Sequence, residues 1–146
     1  MSEQWSTCHF DELDPRALYD ILKLRLEVFA LEQACLYQDL DGLDPQCLHM
    51  QYRAGGELLA YQRCLPPGLS YPASSLGRIV VAPAGRGRQL GRELVRRGIE
   101  CNLKQWPGSG ITIGAQAYLE QFYAGFGFVA ESEPYDEDGI MHITMH

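Results

Sequence analysis

A mixed α/β sheet is the fold class this 146-residue chain predicts, and three patterns carry that expectation. Two apolar runs flank the pair Gly55-Gly56, which is the local signature of a hairpin. Further on, an apolar strand runs through a Gly/Arg turn directly into an amphipathic helix. Strand, short helix and strand pair then follow in turn. A hairpin meander succeeded by strand-helix-strand units makes a layered sheet with helices packed on it.

Each element has its own justification along the chain. Residues 5–10 read as a short strand, and residues 14–33 as a helix capped by Asp14, with Pro15 in its first turn. Its apolar face is Leu18, Ile21, Leu22, Val28 and Phe29. Residues 34–46, rich in Asp and Gly, read as loop. Residues 47–54 and 57–65 form the hairpin, which Pro66-Pro67-Gly68 ends. Residues 76–81 are a central strand, and residues 87–105 are a helix packed through Leu90, Leu94 and Ile99. Gly98 inside it either permits close packing or is merely tolerated. Beyond Trp106-Pro107-Gly108-Ser109-Gly110 come a strand at 111–115, a short helix at 118–125, and a final strand pair at 128–132 and 140–145.

Composition bounds the function. With 46% hydrophobic and 21% charged residues, the chain reads as one domain over 1–146 with a single core. Met1-Ser2-Glu3-Gln4-Trp5 carries neither a basic region nor an apolar one, and no run approaches a membrane span, so a cytoplasmic protein with no membrane partner is expected. Five cysteines, an odd number with no Cys-x-x-Cys pair, argue against a disulfide framework and against a metal site, and read as reduced thiols. The net charge of -7 argues against a nucleic-acid partner. Residues 78–104 nevertheless carry seven basic residues against two acidic ones, a balance of +5, which leaves -12 for the rest. A polyphosphate ligand suits the basic segment and a cationic acceptor suits the acidic remainder, although Arg92, Arg96 and Arg97 fit a solvated helix face equally well.

The chemistry concentrates in the run from Val80 to Leu94. Glycines there let backbone approach a ligand, and the first amides of the helix point at whatever sits over its N-terminus, where the macrodipole favours an anion. Such a turn is a pyrophosphate cradle, or a glycine-punctuated helix start with only a conformational role. It has no Gly-Lys-Ser/Thr ending and no Gly-x-Gly-x-x-Gly after an N-terminal strand, so it is neither a P-loop nor a dinucleotide fingerprint.

Arg86-Gly87-Arg88-Gln89-Leu90-Gly91, following Val81-Ala82-Pro83, resembles motif A of the GNAT superfamily of N-acyltransferases, with Gln89 in place of the middle glycine. About thirty residues on, Gly114-Ala115-Gln116 followed by Phe122-Tyr123-Ala124-Gly125-Phe126-Gly127-Phe128 is similar to motif B. The segments from Arg25 to Gln33, Tyr37 to Gly42 and Tyr135 to Ile143 add likeness to the ElaA-like branch, so the resemblance spans nearly the whole chain.

This resemblance implies a central twisted, mostly antiparallel sheet flanked by helices and splayed at its central parallel strands. It implies transfer of an acetyl group from acetyl-CoA (coenzyme A) to a primary amine, on a small molecule or a peptide or protein, by direct attack in a ternary complex. Coenzyme contacts would fall on Ile79, Val80, Val81, Arg86, Gly87, Arg88, Gln89, Leu90, Gly91, Gln116, Phe122 and Tyr123, with the Val81 amide facing the developing oxyanion. Tyr123 would assist the departing thiolate; without the resemblance it reads as a core aromatic beside Phe122 and Phe126. Candidate bases are Glu32, at the end of the first helix, and His49, on the hairpin strand. Each has a plainer reading: His49 as a structural hydrogen-bonding group, Glu32 as an exposed carboxylate or a partner of Arg25 or Arg63. His142, beside Asp136-Glu137-Asp138, is a further candidate for the acceptor side. The alternative to an enzyme is a non-catalytic acyl-CoA-binding module. An acyl-homoserine-lactone synthase fits less well, because motif A is so fully represented. A monomer or a homodimer is expected.

Overall fold

The computed structural model describes residues 3–34 and 38–146. In chain order it contains β1 (Glu3–His9), α1 (Pro15–Arg25), β2 (Leu48–Ala54), β3 (Glu57–Leu65), β4 (Ser75–Val81), α2 (Leu90–Gln105), β5 (Ile113–Gln116), α3 (Glu120–Ala124), β6 (Tyr135–Glu137) and β7 (Ile140–Met145). Two antiparallel sheets, β1-β2-β3-β4 and β5-β7-β6, meet along the β4/β5 seam. A parallel bridge between Ser74 and Ile111 joins them at one end. This is the mixed sheet expected from the sequence.

Local chemistry explains the elements that came out as read. The Asp14 side chain accepts the Ala17 amide at 2.7 Å and caps α1, with Pro15 in the first turn. Ala54 pairs with Glu57 across a two-residue turn whose glycines hold φ of +60° and +83°, the geometry a tight hairpin needs. The core is built from Ile21 of α1, Tyr61 and Cys64 of β3, Leu94 and Val95 of α2, and Ile113 and Met145 of the second sheet. Gly98 serves close packing: a Cβ there would lie 2.5 Å from the Gln62 amide nitrogen, which donates to the Leu94 carbonyl at 2.7 Å.

Three elements differ from expectation. The helix over 14–33 is α-helical only to Arg25 and continues as π-helical turns over Leu26–Glu32, with the Gln33 amide bonded back to the Val28 carbonyl at 3.2 Å. The helix expected from residue 87 starts at Leu90, because Gly87 and Gln89 hold φ of +83° and +58°, outside helical space. Residues 128–132 are no strand: β5 occupies one edge of β7 and β6 the start of the other, leaving a single bridge between Ala130 and Met145. No helix among the described residues is long and apolar enough to cross a membrane. Among those residues, Cys8, Cys47, Cys64 and Cys101 are free thiols.

Candidate active site

The β4/β5 seam diverges from its bridged end and encloses a cavity of about 930 Å³. Its walls come from the π-helical turns (Phe29, Glu32, Gln33), from β4 (Ile79, Val80, Val81), from β5 and α3 (Gln116, Tyr123), and from the β6/β7 hairpin (Glu137, His142). The wide helix is what presents Glu32 and Gln33 to this space.

One wall is an unpaired strand edge. The Ala82 amide bonds the Leu59 carbonyl at 2.8 Å, and antiparallel ladders alternate, so Val81 turns its N–H and C=O away from β3 toward the seam. The Arg86 Nε donates to that Val81 carbonyl at 3.3 Å. Between the pairs Tyr61/Val80 and Arg63/Gly77, Gln62 faces both Arg78 and Ile79, a β-bulge that bends β4, with Arg78 at φ +52°. No residue pattern in the sequence announces that bulge.

Beneath the cavity three arginines and three aspartates interlock. Arg25 lies 3.0 Å from Asp39 and 2.9 Å from Asp44; Arg63 reaches Asp41 at 2.6 Å and Asp44 at 2.9 Å; Arg78 reaches Asp39 at 3.0 Å. Burial alone would raise the Asp44 carboxyl, but the Arg25 hydrogen bond and the Arg25 and Arg63 charges outweigh it and hold Asp44 below the usual carboxylate range. Asp41 is held lower still, against its own burial, chiefly by hydrogen bonds from Arg63 and from the Leu43 amide. The loop expected at 34–46 is thereby stapled to α1, β3 and β4 across residues 38–46; Cys35, Leu36 and Tyr37 lie outside the described residues.

The site residues read from the sequence divide into three groups. Glu32, Ile79, Val80, Val81, Arg86, Gln116 and Tyr123 come together on the cavity. Gly87, Arg88, Gln89, Leu90 and Gly91 continue from Arg86 outside the enclosed volume, with Gly91 against the Val81 side chain and the Arg88 guanidinium on the Ala84 carbonyl at 3.0 Å. Phe122 and His49 do not line the cavity. The Phe122 ring packs edge-on against Phe126 and under the Arg92 guanidinium, which places it between α3 and α2.

His49 is a correction to the list of candidate bases. It is 1% exposed, and both ring nitrogens are engaged, Nδ1 with the Tyr61 hydroxyl at 2.6 Å and Nε2 with the Asp44 carbonyl at 2.9 Å. Because that carbonyl only accepts, Nε2 carries the proton and the tyrosine donates to Nδ1. Burial also pushes the imidazole below its ordinary value, so its plainer reading as a structural group fits.

Glu32 and Arg86 face each other across the mouth in a two-pronged pair at 2.8 and 2.8 Å. Arg25 and Arg63, the alternative partners for Glu32, are taken by aspartates. The Arg86 hydrogen bond holds the Glu32 carboxyl below its usual range, which makes it a weak proton acceptor while the pair stands. Tyr123 is 6% exposed, and burial pushes its hydroxyl up to about 12. It therefore stays protonated through neutral pH and acts as a donor. Cys47, pushed up to about 11 by burial, is a protonated thiol on the Leu43 carbonyl at 3.2 Å.

Comparison with known proteins agrees with this geometry. The Acetyltransferase (GNAT) domain family matches residues 18–146. The protein ElaA of Escherichia coli is 40% identical over 97% of this chain and 94% of its own length, and its crystal structure superposes with a TM-score of 0.91 over 99% and 98% of the two chains. A UPF0039 protein of Synechocystis is 42% identical over 99% of this chain and 95% of its own. The crystal structure of an acyl-CoA N-acyltransferase from Pseudomonas aeruginosa matches with a TM-score of 0.94 at 40% identity, covering 99% and 98% of the chains. The splayed antiparallel fold, the Gly/Arg turn and the motif pair all point one way: this chain belongs to the GNAT acetyltransferase family.

Proposed function

We propose that this protein transfers an acetyl group from acetyl-CoA to a primary amine by direct attack in a ternary complex. The observation that carries the reading is that one cavity joins the outward-facing edge of β4, Arg86 at the start of the Gly/Arg turn that leads out of it into α2, and the buried Tyr123. An open strand edge suits the two amides of a pantetheine arm, which pair as a further strand would. Arg86, Arg88 and the first amides of α2 suit the pyrophosphate. Acetyl-CoA, when bound, supplies the thioester carbonyl that the amine attacks.

The remaining chemistry belongs to the chain. The Val81 N–H, turned toward the seam, donates to oxygen that gains negative charge. The Tyr123 O–H donates toward sulfur as the thiolate departs; a phenol holds its proton more tightly than a thiol does, so the contribution is hydrogen bonding more than complete transfer. Carboxylates around the mouth attract a cationic acceptor. Titration calorimetry with acetyl-CoA checks the binding half: micromolar-range affinity is expected for the parent, with a strong loss in a folded Arg86→Glu/Arg88→Glu variant. Unchanged affinity in that variant would sink the cradle. Tight coenzyme binding without thiol release in a broad amine panel would instead favour a non-catalytic acyl-CoA-binding module.

A further inference from the structure

Proton removal from the amine is left without a convincing group once His49 is engaged and Glu32 is clamped by Arg86. The β6/β7 hairpin provides one. Its turn, Asp138-Gly139 with φ of +54° and +86°, brings Glu137 opposite Ile140 and Tyr135 opposite His142 on one face. On its other edge β7 sets His142 opposite Gln116, the last residue of β5 before the chain turns into the helix that carries Tyr123. His142, Glu137, Gln116 and Tyr123 all line the same cavity.

The tautomer of His142 follows from its partners. Nδ1 lies 2.8 Å from the Ile140 carbonyl oxygen, which only accepts, so Nδ1 carries the proton. In the neutral ring Nε2 then keeps its lone pair. That nitrogen lies 3.7 Å from the Glu137 carboxylate, beyond hydrogen-bond length but close enough to hold an imidazolium once formed. The ring is stacked on Tyr135 at 27° between planes, which fixes its orientation. His49 has the reverse arrangement, with Nε2 protonated and both nitrogens engaged.

We propose that His142 Nε2 is the proton acceptor for the incoming amine and that Glu137 is the residue that positions and stabilises its charged form. The inference rests on the acyl-transfer reading above. The amine arrives as an ammonium and gives one proton to Nε2, which leaves an imidazolium beside Glu137. The freed nitrogen lone pair forms the C–N bond as the C–S bond breaks, and the electron pair of that bond leaves with sulfur. The second nitrogen proton goes to the thiolate, whose charge the Tyr123 hydroxyl meets with a hydrogen bond while keeping its own proton, and the imidazolium releases its proton to water. The products are the amide, the free thiol and one proton. Phenol hydroxyls of Tyr71 and Tyr135 converge over Gly114, where a Cβ would sit 2.9 and 3.4 Å from them, and Tyr71 and Gly114 line the cavity. Burial, then the neighbouring Tyr135, pushes Tyr71 up to about 12, so its hydroxyl stays protonated beside Tyr135.

Two measurements test this separately from the coenzyme reading. Long-range proton–nitrogen correlation spectra of the ligand-free protein, assigned by the signal lost in His142→Asn, should show His142 protonated on Nδ1 and His49 on Nε2. A His142 signal protonated on Nε2 overturns the proposal whatever the activity. The second measurement is CoA release from acetyl-CoA with a panel of ethanolamine, L-lysine, spermidine and benzylamine. Asparagine keeps a donor near the Nδ1 position, so His142→Asn should fold as the parent does, bind acetyl-CoA as the parent does, and lose about 10²- to 10⁴-fold in kcat. Added imidazole should restore part of that rate, and Glu137→Gln should lower kcat with little change in the acetyl-CoA KM. Parent-like kcat in a folded His142→Asn overturns the inference and leaves the acyl-transfer reading standing. No release from the parent with any amine overturns both.

Discussion

The two ends of the β4/β5 seam put the same pair of strands to opposite uses. At the Ser74 end hydrogen bonds tie the strands to each other and to α2: the Ser74 carbonyl accepts the Thr112 amide at 2.9 Å, its hydroxyl donates to the Gly110 carbonyl at 2.7 Å, and Asn102 of α2 donates to the Ser74 hydroxyl and the Ser75 carbonyl at 3.1 and 2.9 Å, its own Oδ1 being left without a partner. Asn102 and Ser74 are wholly buried. At the Val81 end the strands part, the β4 edge turns its backbone groups into a cavity, and Glu32, Arg86 and Tyr123 line it beside apolar side chains such as Phe29 and Leu119. Hydrogen bonds across the strands hold one end shut, while the backbone donors left over at the other end are what a ligand would engage. Substitutions at the two ends should therefore move different observables.

The largest effect is expected at the open end. Tyr123→Phe keeps the ring packed against Phe122 and Phe128 and removes only the hydroxyl, so turnover should fall about tenfold to a thousandfold with acetyl-CoA affinity little changed. Steady-state kinetics beside calorimetry separates the two quantities, and equal turnover would return Tyr123 to a packing role. At the closed end, Asn102→Ala strips the Ser74 hydroxyl and the Ser75 carbonyl of a donor. Stability should drop by about 1–3 kcal/mol in urea denaturation, the range for one buried group left unpaired, because the Ser74 hydroxyl keeps its Gly110 partner. Should coenzyme affinity collapse while stability stays put, the division between the ends is wrong.

A smaller effect comes from the charged layer under the cavity. Asp41 and Asp44 are held below the ordinary carboxylate range, so near pH 4 the unfolded chain takes up protons that the folded one refuses. Their contribution is complete above that pH and is lost as pH falls toward their folded values. Urea midpoints measured from pH 7 down to pH 3 should decline in the acid range, and Asp41→Asn should flatten the decline. A parent-like slope in that variant would remove Asp41 as a cause.

The smallest effect concerns Gln89, which holds φ +58° where motif A usually has glycine. Gln89→Gly removes left-handed strain but adds unfolded-state freedom, two terms of about 1 kcal/mol each and opposite sign, so stability should change by less than about 1 kcal/mol. A larger loss would mean that the Gln89 side chain holds the turn.

What could be read from the sequence follows how local its causes are. The Asp14 cap, the Gly55-Gly56 hairpin and the strand-turn-helix at 76–105 depend on neighbours within a few residues, and they were legible. The π-helical turns and the bulge at Arg78 were not, because each is set by partners far along the chain, as Arg78 is by Asp39. Of the residues that the two motifs marked, Ile79, Val80, Val81, Arg86, Gln116 and Tyr123 line the cavity, whereas residues 87–91 and Phe122 do not. The histidines show the limit most plainly. His49 and His142 are both polar residues on amphipathic strands, and only the carbonyl each one meets, Asp44 or Ile140, decides which nitrogen keeps a lone pair.

The most direct test of the central claim, that the open end of the seam is where the coenzyme binds, is a backbone amide NMR titration with CoA. Resonances of Ile79, Val81, Gly87, Arg88, Gly91, Gln116 and Tyr123 should shift with a common saturation curve, while those of Ser74, Asn102 and Thr112 stay in place. Shifts centred on Ser74, Asn102 and Thr112, or none at all at saturating CoA, would contradict it.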